Sequence, residues 1–282
     1  MLAKRLITKL DIKGPNLVKG IHLEGLRVLG LPEIFATHYY DNGIDEIIFQ
    51  DVVASLYGRN SLLDIISKTA RTIFVPLTVG GGIRTINDIK QVLRAGADKV
   101  SINTAAVHNP SFINEASNFF GSSTITIAIE AIKNQNGEYF VYVDNGREET
   151  GKNIKDWIVE VQQRGAGEIL LTSVDNEGTG LGYNLHLLDT ISNLVKIPLI
   201  YHGGAGKPEH LIEILKRNEI DGASCSSVLH YGYLNKLKNK KISQSTGNTE
   251  FINNIIKYNK FGSLDIRSLK NQLIENNCNI RV

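Results

Sequence analysis

The feature that most constrains the fold of this chain is a strand–glycine loop–helix–strand segment that occurs twice. The first copy runs from Val79 to Val107 and reads VGGGIRTINDIKQVLRAGADKVSINTAAV. The second copy runs from His202 to Leu229 and reads HGGAGKPEHLIEILKRNEIDGASCSSVL. Internal repetition of this kind determines the architecture before any single motif is considered. It predicts a fold with two similar halves.

The two copies, aligned without gaps, match at glycines, charged residues and small polar residues. The matched pairs are Gly80 with Gly203, Gly81 with Gly204, Arg84 with Lys207, Arg94 with Arg217, Asp98 with Asp221, Ser101 with Ser224, Asn103 with Ser226 and Thr104 with Ser227. Consecutive glycines let the backbone turn sharply and approach a ligand without a Cβ in the way. Backbone N–H groups at such a turn, beside hydroxyl and amide side chains, are typical of a phosphate site. We therefore expect one phosphate site in each half.

The rest of the chain alternates between strand-like and helix-like segments, which gives eight predicted strands, each followed by a helix. Polar residues gather where the predicted strands end. At 282 residues the chain has a suitable length for one large α/β domain. The pattern favours a single (β/α)8 TIM barrel with a two-fold half-barrel repeat. An open doubly wound sheet is the alternative, but its glycine fingerprint usually appears once, after the first strand.

Three stretches depart from this regular alternation. Residues 13–30 are predicted to form a long mobile loop after the first strand, and Tyr139 to Val143 a short hairpin extension. Residues 232–260 are rich in Asn and Lys, which indicates a solvated insertion before the last helix rather than a basic patch for a partner. The domain prediction is one barrel over residues 1–282 that carries this insertion.

Two carboxylates close the first and fifth predicted strands. These are Asp11 and Glu130, which in a barrel would face each other across the mouth. Opposed carboxyls between two phosphate sites indicate acid–base chemistry on a substrate phosphorylated at both ends. A cap on the next helix or loop is the structural alternative for each of them.

The sequence also lacks the motifs and the charge that are typical of several other kinds of site. The chain has no HExxH and no CxxC, and its seven histidines are scattered, so no metal or other cofactor is predicted. His38 and His186 are interpreted as ordinary helix residues, whereas His202 and His230 lie near the second phosphate unit, where a functional and a structural role are equally open. A net charge of +2 does not indicate a nucleic-acid or membrane partner.

The N-terminal residues and the cysteine content indicate the same cellular compartment. The first residues, MLAKRLITKLD, are typical of a strand rather than of a signal peptide, and two cysteines indicate no disulfide framework. We therefore expect a soluble cytoplasmic protein.

Many short segments occur in the order found in one family. They are LAKR at 2–5, LDIK at 10–13, VKG at 18–20, VGGGIR at 79–84, GADKVSINTAAV at 96–107, RGAGEILLTSVD at 164–175, GT and GY within 178–183, and GGAGK at 203–207. On these residues the chain resembles the cyclase subunit of imidazole glycerol phosphate synthase, over residues 1–231 and 261–282. The resemblance implies a lyase of histidine biosynthesis that takes ammonia from a glutaminase partner. It would convert a linear bisphosphorylated ribulosyl formimino carboxamide ribotide into imidazole glycerol phosphate and aminoimidazole carboxamide ribotide.

The resemblance also implies roles for residues at the strand ends. Asp11 would be the principal general acid/base, and Glu130 would occupy the position of the second catalytic carboxylate. Lys19 would belong to the loop that closes over the substrate, and Glu177 to a further substrate loop. The phosphates would be held by Gly81, Gly82, Asn103 and Thr104 in one half and by Gly203, Gly204, Ser226 and Ser227 in the other.

The opposite, N-terminal face of the expected barrel matches the family as well. Arg5, Glu46, Lys99 and Glu168 correspond to the charged ring through which the family's ammonia enters. A stabilising ion-pair cluster is the structural interpretation of the same four charges, and both can hold. The match predicts a glutaminase partner docked on this face in a heterodimer, with Asp98 as a contact.

Several substitutions at the substrate face leave two other functions open. Glu130 and Glu177 stand where the family has Asp, His202 replaces a small residue, and the loop over 14–25 departs from the family pattern too. An extra methylene moves a carboxylate by about 1 Å, which can cost roughly 10²-fold in rate. One alternative is a paralogue that uses ammonia to form an amidine, such as an acetamidino group, on a surface-polysaccharide sugar. The other is a catalytically silent scaffold or activator of a glutaminase, which the presence of Asp11 disfavours.

Overall fold

The structure, a computed structural model, describes residues 2–54, 62–237 and 264–281. At its centre eight parallel strands form a closed barrel. They are β1 (Arg5–Lys13), β4 (Glu46–Asp51), β5 (Leu77–Gly80), β6 (Lys99–Ile102), β7 (Ile125–Lys133), β10 (Glu168–Ser173), β11 (Leu199–His202) and β12 (Gly222–Cys225). Each strand pairs with the next in this order, and β12 pairs with β1. The predicted (β/α)8 barrel is confirmed, and the open doubly wound sheet is excluded.

Helices cover the outside of the barrel. They are α1 (Pro32–Asp41), α2 (Leu63–Thr69), α3 (Ile86–Arg94), α4 (Thr104–His108), α5 (Ser111–Phe120), α6 (Ile154–Gln163), α7 (Leu185–Ile191), α8 (Pro208–Leu215), α9 (Ser227–Leu237) and α10 (Ile266–Glu275), with a 3-10 turn at Ser122–Thr124. Local signals define where several of them begin. Thr85 and Asp88 form a reciprocal capping box before α3, and the Asn184 side chain accepts the Leu187 N–H before α7.

The hydrophobic core lies in two layers. The larger layer fills the space between the strands and the helices, and Tyr39 and Trp157 are its largest fully buried side chains. A separate cluster fills the interior of the barrel; its members are Ile7, Ile48, Ala128, Leu170 and Ile200. The barrel is therefore a packed core with two distinct ends rather than an open pore.

Antiparallel hairpins extend the barrel after its first and fifth strands. β2 (Asn16–Ile21) and β3 (Glu24–Gly30) follow β1, and β8 (Tyr139–Val143) and β9 (Glu148–Asn153) follow β7. The second hairpin confirms the extension predicted at Tyr139 to Val143. The first corrects the prediction of a long loop over 13–30, since Asn16–Ile21 and Glu24–Gly30 pair as strands.

At their glycine loops, the two repeated units correspond with a shift of one residue relative to the gapless alignment. Gly80 pairs with Ser101 on the neighbouring strand, and His202 pairs with Ser224 in the same way. Gly80 is therefore equivalent to His202 and not, as in the gapless alignment, to Gly203. The gapless alignment is wrong here because it does not allow the two units to differ in length between helix and strand.

At the N-terminal ends of their strands, the two units make equivalent hydrogen bonds. The Asp98 carboxylate accepts the Leu77 N–H at 2.8 Å, and the Asp221 carboxylate accepts the Leu199 N–H at 2.9 Å. Each aspartate thus satisfies the first backbone donor of the strand before it, which fixes the start of two neighbouring strands at once.

The segment predicted as an insertion, 232–260, begins inside α9, and the part after residue 237 lies outside the described residues. Among the helices within 2–54, 62–237 and 264–281, none is both long enough and apolar enough to cross a bilayer.

Candidate functional site

Both glycine turns lie at the carboxyl ends of barrel strands, on one rim. Gly81 follows β5 with a φ of 100°, and Gly203 follows β11 with a φ of 107°. A Cβ on Gly81 would lie 2.3 Å from the Asp51 carbonyl oxygen, and one on Gly203 would lie 2.6 Å from the Ser173 carbonyl oxygen. Each turn therefore folds tightly against the end of the adjacent strand, a geometry that only glycine allows without strain.

The first turn opens into a pocket on this rim, with about 500 Å³ of empty space when the solvent at its mouth is included. It is lined by the predicted residues Gly81, Gly82, Asn103, Thr104 and Glu130, and by Gln50, Asp51, Arg84, Ser101 and Asn145, which were not predicted. Ser101 Oγ and Asn103 Oδ1 are buried and have no hydrogen-bond partner among the described residues. Buried polar atoms normally have partners, so these two are available to a ligand.

The second turn opens into a smaller pocket, with about 190 Å³ of empty space, which brings together the predicted residues of the second half. Its lining includes Glu177, His202, Gly203, Gly204, Ser226 and Ser227. Glu177 Oε2 and His202 Nε2 lack hydrogen-bond partners within the part of the chain that the structure describes. Burial lowers the pKa of the His202 imidazole, so this ring is neutral at physiological pH.

A chain of four buried, alternating charges lies between the pockets. Lys19 Nζ donates to Asp11 Oδ2 at 2.8 Å and also contacts Glu177 Oε1, while Lys9 Nζ contacts Asp11 Oδ1. The exposed fractions are 4% for Lys9 and 1% for each of the other three. Charges buried to this extent are tolerated because each has an opposite charge in contact.

The protonation states of these groups follow from their contacts. Burial raises the pKa of Asp11, but the ammonium groups of Lys19 and Lys9 outweigh it and hold that pKa well below its usual range. Burial likewise opposes ionisation of Glu177, yet the Lys19 charge lowers the pKa of Glu177 to about 2. Asp11 and Glu177 are therefore both anions at neutral pH.

Glu130 lies on β7, the strand opposite β1 in the barrel order, and differs from Asp11 in its protonation. Its Oε2 accepts the Gly146 N–H at 2.8 Å. Burial raises the pKa of Glu130 to about 7, although the positive charge of Lys9 acts in the other direction. A carboxyl with such a pKa can both give and take a proton near neutral pH.

Lys9 is absent from the predicted site although it touches one of its carboxylates. The signal that could have identified it is its position two residues before Asp11 on the same strand. Alternate residues of a strand point to the same face, so a lysine at this position must share the barrel interior with the aspartate.

His38 and His230 pack against aromatic side chains and do not line either pocket. His38 stacks on Tyr233 with 3.7 Å between ring centroids. His230 is fully buried, and its Nδ1 lies 2.6 Å from the Tyr39 hydroxyl. Burial lowers the pKa of His230 to about 3, which keeps the ring neutral. No group of three or more His, Cys, Asp or Glu within the described ranges could hold a metal ion.

At the opposite end, four charged side chains close the barrel as a ring. Arg5 contacts Glu46 and Glu168, each at 2.7 Å. Lys99 contacts the same carboxylates at 2.6 Å and 2.8 Å. Each carboxylate thus contacts both cations. Arg5 and Lys99 keep 14% and 15% of their side-chain surface exposed, so the ring reaches the N-terminal face.

Comparison with known proteins matches the region that contains all of these features. The family model described as "Histidine biosynthesis protein" matches residues 5–235. The protein named "Imidazole glycerol phosphate synthase subunit HisF" from Legionella pneumophila is 55% identical over 205 residues, which cover 73% of this chain and 97% of that protein. The protein of the same name from Bacillus cereus strain Q1 is 47% identical over 232 residues, which cover 82% of this chain and 92% of that protein. Both pockets and the charged ring lie within the matched residues.

Proposed function

Because the chain belongs to the histidine biosynthesis protein family, we propose that it catalyses the cyclase reaction of imidazole glycerol phosphate synthase. In this reaction it combines ammonia with the linear bisphosphorylated ribulosyl formimino carboxamide ribotide. The products are imidazole glycerol phosphate and aminoimidazole carboxamide ribotide. The observation that carries the proposal is the presence of two glycine-turn pockets on one rim, with carboxyls between them.

Each pocket holds one phosphate of the substrate. In the first, the turn at Gly81 and Gly82 leaves backbone N–H groups without side chains in front of them, beside Asn103 and Thr104. In the second, Gly203 and Gly204 form the turn, and Ser226 and Ser227 lie at the start of α9. The positive end of that helix dipole favours an anion at this position.

The middle of the substrate lies between the carboxyls of Asp11 and Glu130, which act on it as acid and base. Lys19 reaches Asp11 and Glu177 from β2, so the hairpin formed by β2 and β3 closes over this side of the site. Closure of this kind excludes water and strengthens every electrostatic interaction in the site.

Ammonia is supplied by a glutaminase subunit docked on the N-terminal face, in a heterodimer. It enters at the ring of Arg5, Glu46, Lys99 and Glu168 and reaches the opposite rim through transient openings in the apolar layer that fills the barrel interior. Support comes from the same face, where Leu2 and Phe74 expose 91% and 81% of their surface and where Asp98 shares a groove with Phe74. Exposed large apolar side chains on one face are typical of a protein contact.

The proposal includes one domain and a cytoplasmic location. The family match ends at residue 235, close to the start of the Asn/Lys-rich segment, which supports an insertion in a single barrel. Cys225 and Cys278 are free and buried, as in proteins of a reducing compartment. The amidine-forming paralogue and the silent scaffold are not favoured by the comparisons.

The decisive experiment supplies the purified chain with the linear bisphosphorylated substrate and an ammonium salt, without any partner. We expect both products, and we expect Glu130→Gln to reduce turnover by 10²-fold or more, on the order of the contribution of a general acid or base. Arg217→Met is the matched control, because Arg217 forms its ion pairs on the surface with Asp189 and Glu219. Absence of product from the unmodified chain would refute the proposed function.

A further inference from the structure

His202 is a buried imidazole to which the proposed roles assign no purpose. It is the last residue of β11, only 1% of its surface is exposed, and it lines the second pocket, the one at the Gly203 turn. Its two nitrogens have different surroundings. Nδ1 lies 3.1 Å from Ser224 Oγ and 3.2 Å from the Ser224 carbonyl oxygen, whereas Nε2 has no hydrogen-bond partner among the described residues. Buried polar atoms normally have partners, so this nitrogen requires an explanation.

The contacts of the ring determine which nitrogen carries the proton. Burial lowers the pKa of His202, and the neutral ring has a single N–H. Nε2 lies 3.6 Å from Glu177 Oε1, which is ionised through its contact with Lys19. A lone pair on Nε2 would be repelled by this carboxylate, whereas an N–H is attracted to it. Because the Ser224 hydroxyl can donate to Nδ1, the proton lies on Nε2.

The N–H on Nε2 is nevertheless left without an acceptor. The separation of 3.6 Å from Glu177 is too long for a hydrogen bond, since such bonds to nitrogen donors usually span about 2.7–3.2 Å. The carboxylate therefore orients the ring without using its donor. Because His202 lines the second pocket, this donor is available to the group that the pocket binds.

Few other side chains of the second pocket can donate a hydrogen bond to a ligand. Ser226 Oγ donates to a carbonyl of β1, and the Ser224 hydroxyl donates to the imidazole. The remaining side-chain N–H and O–H donors in the lining are His202 Nε2 and the Ser227 hydroxyl, and no lysine or arginine is present among these described residues. An anion bound here depends on backbone N–H groups and on these two side chains.

From these contacts we infer that His202 is a specificity-determining residue of the second pocket, where its Nε2–H donates to an oxygen of the substrate's phosphate. The inference rests on the proposed function only for placing a phosphate in this pocket. Ser224 is then a positioning residue, since its hydroxyl fixes the tautomer that presents the proton to the pocket. A small residue stands at the position of His202 in the family that the chain resembles, so the contact distinguishes this chain from that pattern.

A purely structural role for His202 makes a different prediction. If the ring only filled space beside Ser224, every shorter or differently shaped side chain would impair the pocket to a similar extent. The amide of a glutamine can place an N–H near the position of Nε2, whereas the shorter asparagine reaches only the position of Nδ1. His202→Gln and His202→Asn are therefore a matched pair that separates the donor from the ring.

The tautomer is tested by nuclear magnetic resonance of nitrogen-labelled histidine in the protein without substrate. The His202 signal is identified by its absence in His202→Gln. We expect the pattern of a neutral ring protonated on Nε2, and we expect inorganic phosphate to shift the Nε2 resonance. Ser224→Ala should move the proton towards Nδ1, because the Ser224 carbonyl is then the remaining partner of that nitrogen. A merely structural role for Ser224 would not change the tautomer.

The donor is tested by calorimetric titration with inorganic phosphate. The unmodified chain should bind phosphate in both pockets. His202→Asn should weaken binding in one pocket by roughly ten- to a hundredfold, on the order of a hydrogen bond to a charged group, whereas His202→Gln should bind nearly as well as the unmodified chain. Asn103→Ala should weaken only the other pocket. His186→Asn is the matched control, because His186 contacts the Tyr139 hydroxyl and lines neither pocket.

Unchanged phosphate affinity in His202→Asn, or an equal loss in His202→Gln, would overturn the inference. A ring protonated on Nδ1, or an Nε2 resonance that phosphate does not shift, would overturn it as well, and this result needs no variant that folds poorly. The outcome is independent of turnover. Product formation together with unchanged phosphate binding in His202→Asn would refute only the inference, whereas phosphate bound at His202 without product formation would refute only the proposed function.

Discussion

The glycine turns on the rim yield a prediction in which steric contact can be separated from backbone strain. Gly81 and Gly43 both have positive φ angles, 100° and 88°. A Cβ on Gly43 would have no atom within 4 Å, whereas on Gly81 it would lie 2.3 Å from the Asp51 carbonyl oxygen. Gly43→Ala is therefore a matched control that carries the strain without the collision.

The expected magnitudes follow from these two terms. The left-handed conformation costs an alanine about 1–2 kcal/mol, and both variants incur this cost. Overpacking adds roughly 1–3 kcal/mol at Gly81 alone, because the end of β4 must move to make room. At about 2–4 °C per kcal/mol for a protein of this size, Gly81→Ala should melt roughly 2–12 °C below Gly43→Ala.

Urea unfolding and thermal melting of both variants measure this difference, and steady-state kinetics test its consequence for the proposed phosphate site. Gly81→Ala should raise KM for the bisphosphorylated substrate, while Gly43→Ala should leave it unchanged. Equal losses of unfolding free energy in the two variants would show that the turn is not held against the end of β4. The description of the first pocket would then be wrong.

Three further predictions concern buried polar groups. Glu46→Ala should lower the unfolding free energy by about 3 kcal/mol, because Arg5 and Lys99 lose a buried partner. Arg217→Met, which removes ion pairs on the surface, should change it by less than about 1 kcal/mol. Urea unfolding measures both changes. The pKa of Glu177 is depressed to about 2 in the folded state, so the stability that it contributes should be lost as the pH falls from about 4.5 towards 2. Acid titration of unfolding should show a smaller loss in Glu177→Gln. His230→Phe should cost about 1–3 kcal/mol because the buried Tyr39 hydroxyl loses its partner, with turnover unchanged in kinetic assays.

The barrel and its repeat could be predicted because their signals are local. Periodic apolar residues and glycine turns mark each strand and helix without reference to distant parts of the chain. The hairpin after β1 could not be predicted in the same way, because distant residues hold it in place. His22 N–H donates to the Glu177 carbonyl at 2.9 Å, and Asn145 donates to the Leu23 carbonyl at 3.0 Å.

The candidate site was predictable where it depends on strand ends and less so elsewhere. Residues such as Asn103 and Ser226 follow from topology, since the carboxyl ends of parallel strands meet at one rim. Asn145 lies in a hairpin turn whose approach to the first pocket depends on how the whole hairpin folds back. Lys9 was overlooked because lysines are rarely buried, and only its strand position contradicts that expectation.

The inward face of β1 has a consequence for how this gene can change. One strand contributes, at every second residue, to the ring at the bottom, the apolar layer, the floor of the site and its rim. Inserting or deleting a single codon in β1 would reverse the inward and outward alternation on one side of the change, so that Arg5 and Ile7, or Lys9 and Asp11, would turn towards the helices. At least one level of the barrel would lose its inward side chain, so we expect variation within this strand to be restricted to substitutions, while length changes accumulate in the loops.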